Sequence, residues 1–121
     1  MSRRPGPAAQ QYAVWVDVPR AGGWRAWNTA AGHFEERLAA QVTPPVLDAQ
    51  IDSETRHGLD YVRVRVSVTV EAADLAGAVT AAWTAFRAAA GEIGGWDTAA
   101  AAAQVRPAGQ PVTRAGRRPR R

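Results

Sequence analysis

Residues 61–71 read Tyr-Val-Arg-Val-Arg-Val-Ser-Val-Thr-Val-Glu. Valine occupies every second position from Val62 to Val70, and polar residues or Tyr61 occupy the positions between them. Because successive side chains of a β-strand point to opposite faces, this stretch predicts a strand with one apolar and one polar face. A strand that is buried on one face and solvated on the other is typical of an antiparallel sheet.

Further strands and helices are predicted on both sides of this stretch. Asn28 or Thr29 can cap a first helix, and Asp74 can cap a second helix that Gly91 ends. Leu47 is expected to point inward from its strand, and Leu75 is expected to begin the apolar stripe of the second helix. The predicted elements are strands at 12–18, 46–54, 61–71 and 101–106, and helices at about 28–41 and 75–90.

The element order β-α-β-β-α-β resembles the ferredoxin-like superfold. This resemblance implies an α+β ferredoxin-like βαββαβ sandwich, in which two helices cover one face of a four-stranded antiparallel sheet of order 4-1-3-2. We expect the domain to span residues 11–106 of the 121-residue chain. Residues 1–10 form an N-terminal tail and residues 107–121 an arginine-rich C-terminal tail, and both are expected to be disordered because they are rich in Pro, Gly and Arg.

The net charge of +4 is unevenly distributed along the chain. Residues 12–106 carry eight arginines against all eleven acidic residues, whereas the two tails carry the other seven arginines. The absence of cysteine excludes disulfides, zinc–thiolate sites and thiol catalysis. The N-terminus lacks the apolar stretch of a secretory signal, and no apolar run reaches membrane-spanning length, so we expect a cytoplasmic protein with no membrane partner.

Alternation assigns a set of side chains to the face of the sheet that the helices leave open. Trp15, Tyr61, Arg63 and Arg65 are the candidate binding residues on this face, which also carries Asp17, Asp48, Gln50 and Asp52. A hairpin centred between His57 and Gly58 predicts that Asp52 lies opposite Arg63 and Gln50 opposite Arg65.

Three interpretations of this open face follow from its composition. It can be a solvated surface with internal ion pairs, or a dimer interface in which self-complementary Asp and Arg residues meet a second copy. It can also stack single-stranded nucleic acid on Trp15 and Tyr61, as RNA-recognition modules with this superfold do. The third strand lacks their glycine–aromatic consensus, and three carboxylates would repel a phosphate backbone.

A loop segment before the first helix, Gly22-Gly23-Trp24-Arg25-Ala26-Trp27, holds two tryptophans on either side of an arginine. Trp24, Arg25 and Trp27 either line a pocket for a ligand or partner, since Trp and Arg are favoured at binding hot spots, or the tryptophans close one end of the core. Trp96 can close the same end from the other side.

No catalytic residue, cofactor site or metal site is predicted. His33 and His57 are the histidines of the chain, and nothing in the sequence places them together. The glycine pairs lack the spacing and the lysine of a phosphate-binding loop, and the sequence contains no Gly-x-Ser-x-Gly motif.

The sequence therefore predicts a small non-enzymatic binding or accessory module that forms a homodimer and contacts a partner. Its basic tails, with Arg117, Arg118, Arg120 and Arg121, would assist nucleic-acid contact. The alternative is a dimeric ferredoxin-like protein of the monooxygenase type, or a small-molecule-binding protein, with a pocket near Trp15, Trp24, Trp27 and Arg63.

Overall fold

The structure, a computed structural model, describes residues 9–58, 60–91 and 93–108. The elements in chain order are β1 (Gln10–Ala21), α1 (Gly23–Ala39), β2 (Val46–His57), β3 (Tyr61–Ala72), α2 (Leu75–Ala90), a 3-10 turn (Thr98–Ala100) and β4 (Ala102–Pro107). The strands form one antiparallel sheet of order β2-β3-β1-β4. The predicted ferredoxin-like α+β fold is confirmed, with β1 and β3 at the centre of the sheet.

The core lies between the sheet and the two helices. Valines at alternate positions of β1 and β3 are almost completely buried, and the residues between them are partly exposed. Phe34 and Leu38 of α1 and Phe86 of α2 pack on these valines. The apolar face of the sheet and the apolar stripe of each helix therefore pack together in one core layer.

The first helix begins five residues before the predicted cap. Gly22 stands at its N-cap with φ at 105°, a left-handed conformation that glycine adopts without steric cost, and its N–H donates to the Asp60 carbonyl at 3.0 Å. Trp27 thereby lies on the helix and is fully buried. The expectation of a cap at Asn28 or Thr29 is wrong because burial of Trp27 outweighs local capping preference.

The second helix begins as predicted. The Asp74 side chain accepts a hydrogen bond from the Gly77 N–H at 2.8 Å. Leu75, expected in the apolar stripe, is 48% exposed because it is the first residue of the helix. Leu47 is also exposed, because it lies at a register shift between Val46 and Asp48 of β2.

The predicted register of the β2–β3 hairpin is wrong. His57 pairs with Tyr61, so that Thr55 lies opposite Arg63 and Ser53 opposite Arg65. β2 continues to His57 rather than ending at residue 54, and a register shift between Ile51 and Ser53 adds one residue to β2. Asp52 is that extra residue.

Candidate functional site

The open sheet face consists of the side chains that point away from the helices. Their neighbours along each central strand are buried valines, so alternation places them on the opposite surface. The face contains Trp15 and Asp17 from β1, Asp48 and Gln50 from β2, Arg63, Arg65, Ser67 and Thr69 from β3, and Gln104 and Arg106 from β4. Asp52 joins it at the β2 bulge.

Trp15 lies at the centre of this face, with Ser67 opposite it on β3 and Gln104 opposite it on β4. The Arg65 guanidinium carbon lies 5.7 Å from the Trp15 ring centroid, and that of Arg106 lies 5.2 Å from it. Cation–π contacts of this kind are attractive at these distances. The indole is therefore held in place by cations from the strands on both sides.

Ion pairs connect the strands around Trp15. Arg63 Nη1 lies 3.2 Å from Asp17 Oδ1 across the two central strands. Arg65 Nε lies 3.5 Å from Asp52 Oδ2, and its Nη2 donates to Gln104 Oε1 at 3.0 Å. The β2 bulge is what places Asp52 within reach of Arg65. Three arginines and three aspartates lie around Trp15, and Glu71 adds a fourth carboxylate at the end of β3, so the face carries both charge signs in nearly equal number.

A shallow depression of about 60 Å³ lies beside Trp15, where the small side chain of Ala102 leaves room. Tyr61 lies at the far end of the face, six residues from Ser67 along β3, which corresponds to about 20 Å. It lines a separate groove of about 420 Å³ together with Pro19, Arg63 and Asp97. The structure therefore brings Arg65 to Trp15 and keeps Tyr61 apart from it.

The two tryptophans of the segment before the predicted first helix, Trp24 and Trp27, have different roles. Trp27 is fully buried, donates its Nε1–H to Glu54, and packs against Phe34 and Trp96 with ring centroids 5.6 Å apart. The predicted closure of this end of the core by Trp27 and Trp96 is confirmed. Trp27 belongs to the core rather than to a pocket wall.

Trp24 and Arg25 lie on the first turn of α1 and line a groove of about 310 Å³. The groove continues along Gly22, Gly23 and Gly58, and Arg56 covers the Trp24 ring at 5.9 Å. Arg25 is exposed, whereas Trp24 is half-buried. The ligand pocket predicted for these residues stays a prediction.

Arg20 has a position that the sequence did not indicate. It is only 9% exposed, and its guanidinium carbon lies 5.7 Å from the ring centroids of both Trp27 and Trp96. Its Nε donates to the Gly94 carbonyl at 2.8 Å, and desolvation lowers the pKa of the guanidinium. Arg20 therefore ties the end of β1 to the segment before β4. In the sequence, Arg20 lies beyond the strand predicted at 12–18, whereas β1 continues to Ala21, so the predicted alternation does not extend to Arg20.

The remaining candidates do not converge on a reactive centre. His33 is exposed on α1, and His57 is the last residue of β2. Within the ranges that the structure describes, no three His, Cys, Asp or Glu residues are grouped to hold a metal ion, and neither helix is long and apolar enough to cross a membrane. Arg117, Arg118, Arg120 and Arg121 lie outside the described residues.

Comparison of the chain with protein-family models, curated proteins and solved structures gives no match.

Proposed function

We propose that the protein is a non-enzymatic binding module whose open sheet face packs against a second copy of the chain, while its arginine-rich tails assist contact with nucleic acid. One observation carries this proposal. Trp15 is held between Arg65 and Arg106 at the centre of a face that carries side chains of both charge signs.

The mixture of charge signs favours a second copy as the occupant of the face. In a two-fold interface the same patch meets itself, so a charged patch is self-complementary only when it carries both signs of charge at offset positions. Asp17, Arg63 and Arg65 lie on neighbouring central strands, where Asp17 is opposite Arg65 and makes its ion pair with Arg63. Rotation by 180° would set carboxylates of one copy against guanidiniums of the other.

Trp15 supplies the apolar anchor that such an interface requires. Interfaces derive much of their binding energy from a few central Trp, Tyr and Arg side chains that bind in desolvated surroundings. Trp15 is half-buried and lies beside a shallow depression lined by Ala102, so a second copy can cover both the ring and the depression. Arg65 and Arg106 limit its rotamers, so little side-chain entropy is lost on association.

The same geometry argues against stacking of nucleic-acid bases on the face. Single-stranded nucleic acid is bound by exposed aromatic rings and unpaired cations along a basic groove. Here Arg63 and Arg65 already contact carboxylates, and Trp15 and Tyr61 are about 20 Å apart. Nucleic-acid contact is therefore assigned to the tails.

The tails carry seven of the fifteen arginines, and a dimer doubles that number. Arginine–phosphate contacts release counterions, which gives affinity without sequence preference. Joining two sets of tails through one interface raises the effective concentration of the second set. Dimerisation and nucleic-acid contact are linked in this way.

Sedimentation equilibrium of the full chain over a wide concentration range tests the proposal. The expected mass is an even multiple of the chain mass of 12.9 kDa. A mass of one chain over the whole range would contradict the proposal, because the open face would then be a solvated surface.

A further inference from the structure

The two edges of the sheet differ in their protection against pairing with another strand. β2 contains two register shifts and carries Asp48, Asp52, Glu54 and Arg56. Bulges and charges of this kind prevent edge-to-edge association. β4, the opposite edge, pairs with β1 residue for residue from Ala102 to Pro107 without a bulge.

The sequence of β4 offers little obstruction to an incoming strand. It reads Ala-Ala-Gln-Val-Arg-Pro, and its side chains are exposed except for the half-buried Val105. Within the described residues, its outer edge has no strand partner. A regular, exposed edge with small side chains is a template for addition of a strand.

An apolar groove follows the same edge on the helix side of the sheet. It has a volume of about 280 Å³ and lies between α2 and β4, where Val79, Trp83, Ala101 and Ala103 line it. Trp83 is half-buried here and stacks on Phe86 at 5.5 Å. A strand added to β4 would bring its helix-side residues next to this groove.

We propose that β4 pairs antiparallel with β4 of a second copy, about a two-fold axis at Gln104. Pro107 has no N–H to donate, so the pairing segment is 102–106, and Gln104 is its midpoint. This register places Ala103 opposite Val105 of the second copy, on the helix side. Val105 of the second copy then lies next to the apolar groove beside Trp83.

Charge complementarity on the open face supports a second copy as the partner. In the same register, Ala102 lies opposite Arg106 of the second copy, and Ala102 is also opposite Asp17 in β1. Asp17 and Arg106 of the second copy are thus in one row, two strands apart, with only an alanine methyl group between them. The spacing of two strands is about 10 Å. At that distance the two opposite charges attract each other, while Arg106 stays against Trp15 of its own chain and Asp17 keeps its ion pair with Arg63.

The edge contact uses a different surface from the proposed contact between open faces. Together they would join four chains, in two continuous eight-stranded sheets that pack face to face. The four-chain assembly rests on the proposed function, whereas the β4 contact by itself does not.

Sedimentation equilibrium of four full-length variants separates the two contacts. Ala103→Lys places a charge on the β4 edge, and Ala39→Lys is the matched control, because Ala39 is exposed at the end of α1, which packs towards β2 and β3. Trp15→Ala weakens the open-face contact, and Trp15→Ala/Ala103→Lys weakens both. Amide hydrogen exchange of residues 102–106 reports pairing at the edge directly.

The expected masses are four chains for the native protein and for Ala39→Lys, two chains for each of Ala103→Lys and Trp15→Ala, and one chain for the double variant. The β4 amides should exchange at least tenfold faster in Ala103→Lys than in Ala39→Lys. The edge contact would be overturned if Trp15→Ala had the mass of one chain. It would also be overturned if Ala103→Lys had the same mass and the same amide exchange rates as the native protein. The open-face contact would be overturned, and the edge contact kept, by a third result. In that result the native protein is a dimer, Ala103→Lys is a monomer, and Trp15→Ala is still a dimer.

Discussion

Arg63 Nη1 meets Asp17 Oδ1 at 3.2 Å across the two central strands, and both side chains are only about one-third exposed or less. The pair is diagonal in the ladder, because Asp17 lies opposite Arg65 and Arg63 lies opposite Pro19. It fixes both charges on the open face in one arrangement. A face with fixed charges of both signs is suited to meet a copy of itself.

Reversal of this pair tests whether the two charges act on each other. Arg63→Asp should lower the free energy of unfolding by about 0.5–1 kcal/mol, because two carboxylates then face each other on a partly solvated surface. Asp17→Arg should lower the free energy of unfolding by a similar amount. The double reversal Asp17→Arg/Arg63→Asp should recover most of the loss in urea unfolding, whereas additive losses would show that the pair contributes nothing.

Trp15→Ala should weaken self-association and leave the fold intact. A central tryptophan contributes about 2 kcal/mol or more to an interface, which corresponds to roughly thirtyfold weaker association. The matched control is Trp24→Ala, because Trp24 is also half-buried and also covered by an arginine but lies on α1. Far-UV circular dichroism should be unchanged in both variants. Loss of the folded signal in Trp15→Ala would mean that its side chain supports the core.

Arg20 should be important for stability. Its guanidinium contacts the rings of both Trp27 and Trp96, and its Nε donates to the Gly94 carbonyl. Arg20→Ala should lower the free energy of unfolding by about 2–3 kcal/mol, because it removes these contacts and leaves a gap in the core. Arg20→Met should lower the free energy of unfolding by less, since the methionine side chain fills the gap without burying a charge. An alanine variant within about 0.5 kcal/mol of the native protein would contradict the structural role.

Substitution of Arg117, Arg118, Arg120 and Arg121 by glutamine tests the role of the C-terminal tail. Affinity for duplex DNA should fall, and the slope of log K against log salt should decrease by up to about 0.9 for each arginine that contacts a phosphate. Arg25→Gln is the control, because Arg25 is exposed on the folded domain. Fluorescence anisotropy at several salt concentrations measures both quantities. An unchanged slope in this variant would contradict a role for the C-terminal tail and would assign any binding to the folded domain or the N-terminal tail.

The sequence predicts the sheet well because its strongest signal is local. The valines of β1 and β3 alternate strictly, and burial of one face follows directly from that pattern. The Asp74 cap is also local, because its side chain reaches an N–H only three residues away. Element order then limits the topology to few alternatives.

The site depends on features that a local pattern does not contain. The β2 bulge places Asp52 beside Arg65. This position depends on where the turn lies and on the residue that the bulge adds, and alternation alone indicates neither of them. The early start of α1 depends on burial of Trp27 against Trp96, nearly seventy residues along the chain. Arg20 is buried for a similar reason, because one of its two aromatic neighbours, Trp96, comes from a distant segment.

Cross-linking through an introduced cysteine tests the central claim most directly. The chain has no cysteine, so a single Ser67→Cys substitution places one thiol opposite Trp15 at the centre of the open face. Thr29→Cys is the matched control on the exposed surface of α1. With a short bismaleimide, the open-face contact predicts covalent dimers of Ser67→Cys and monomers of Thr29→Cys, since packed sheets lie only about 10 Å apart. Monomers of Ser67→Cys, with a thiol that reacts fully with a monofunctional maleimide, would contradict the open-face contact.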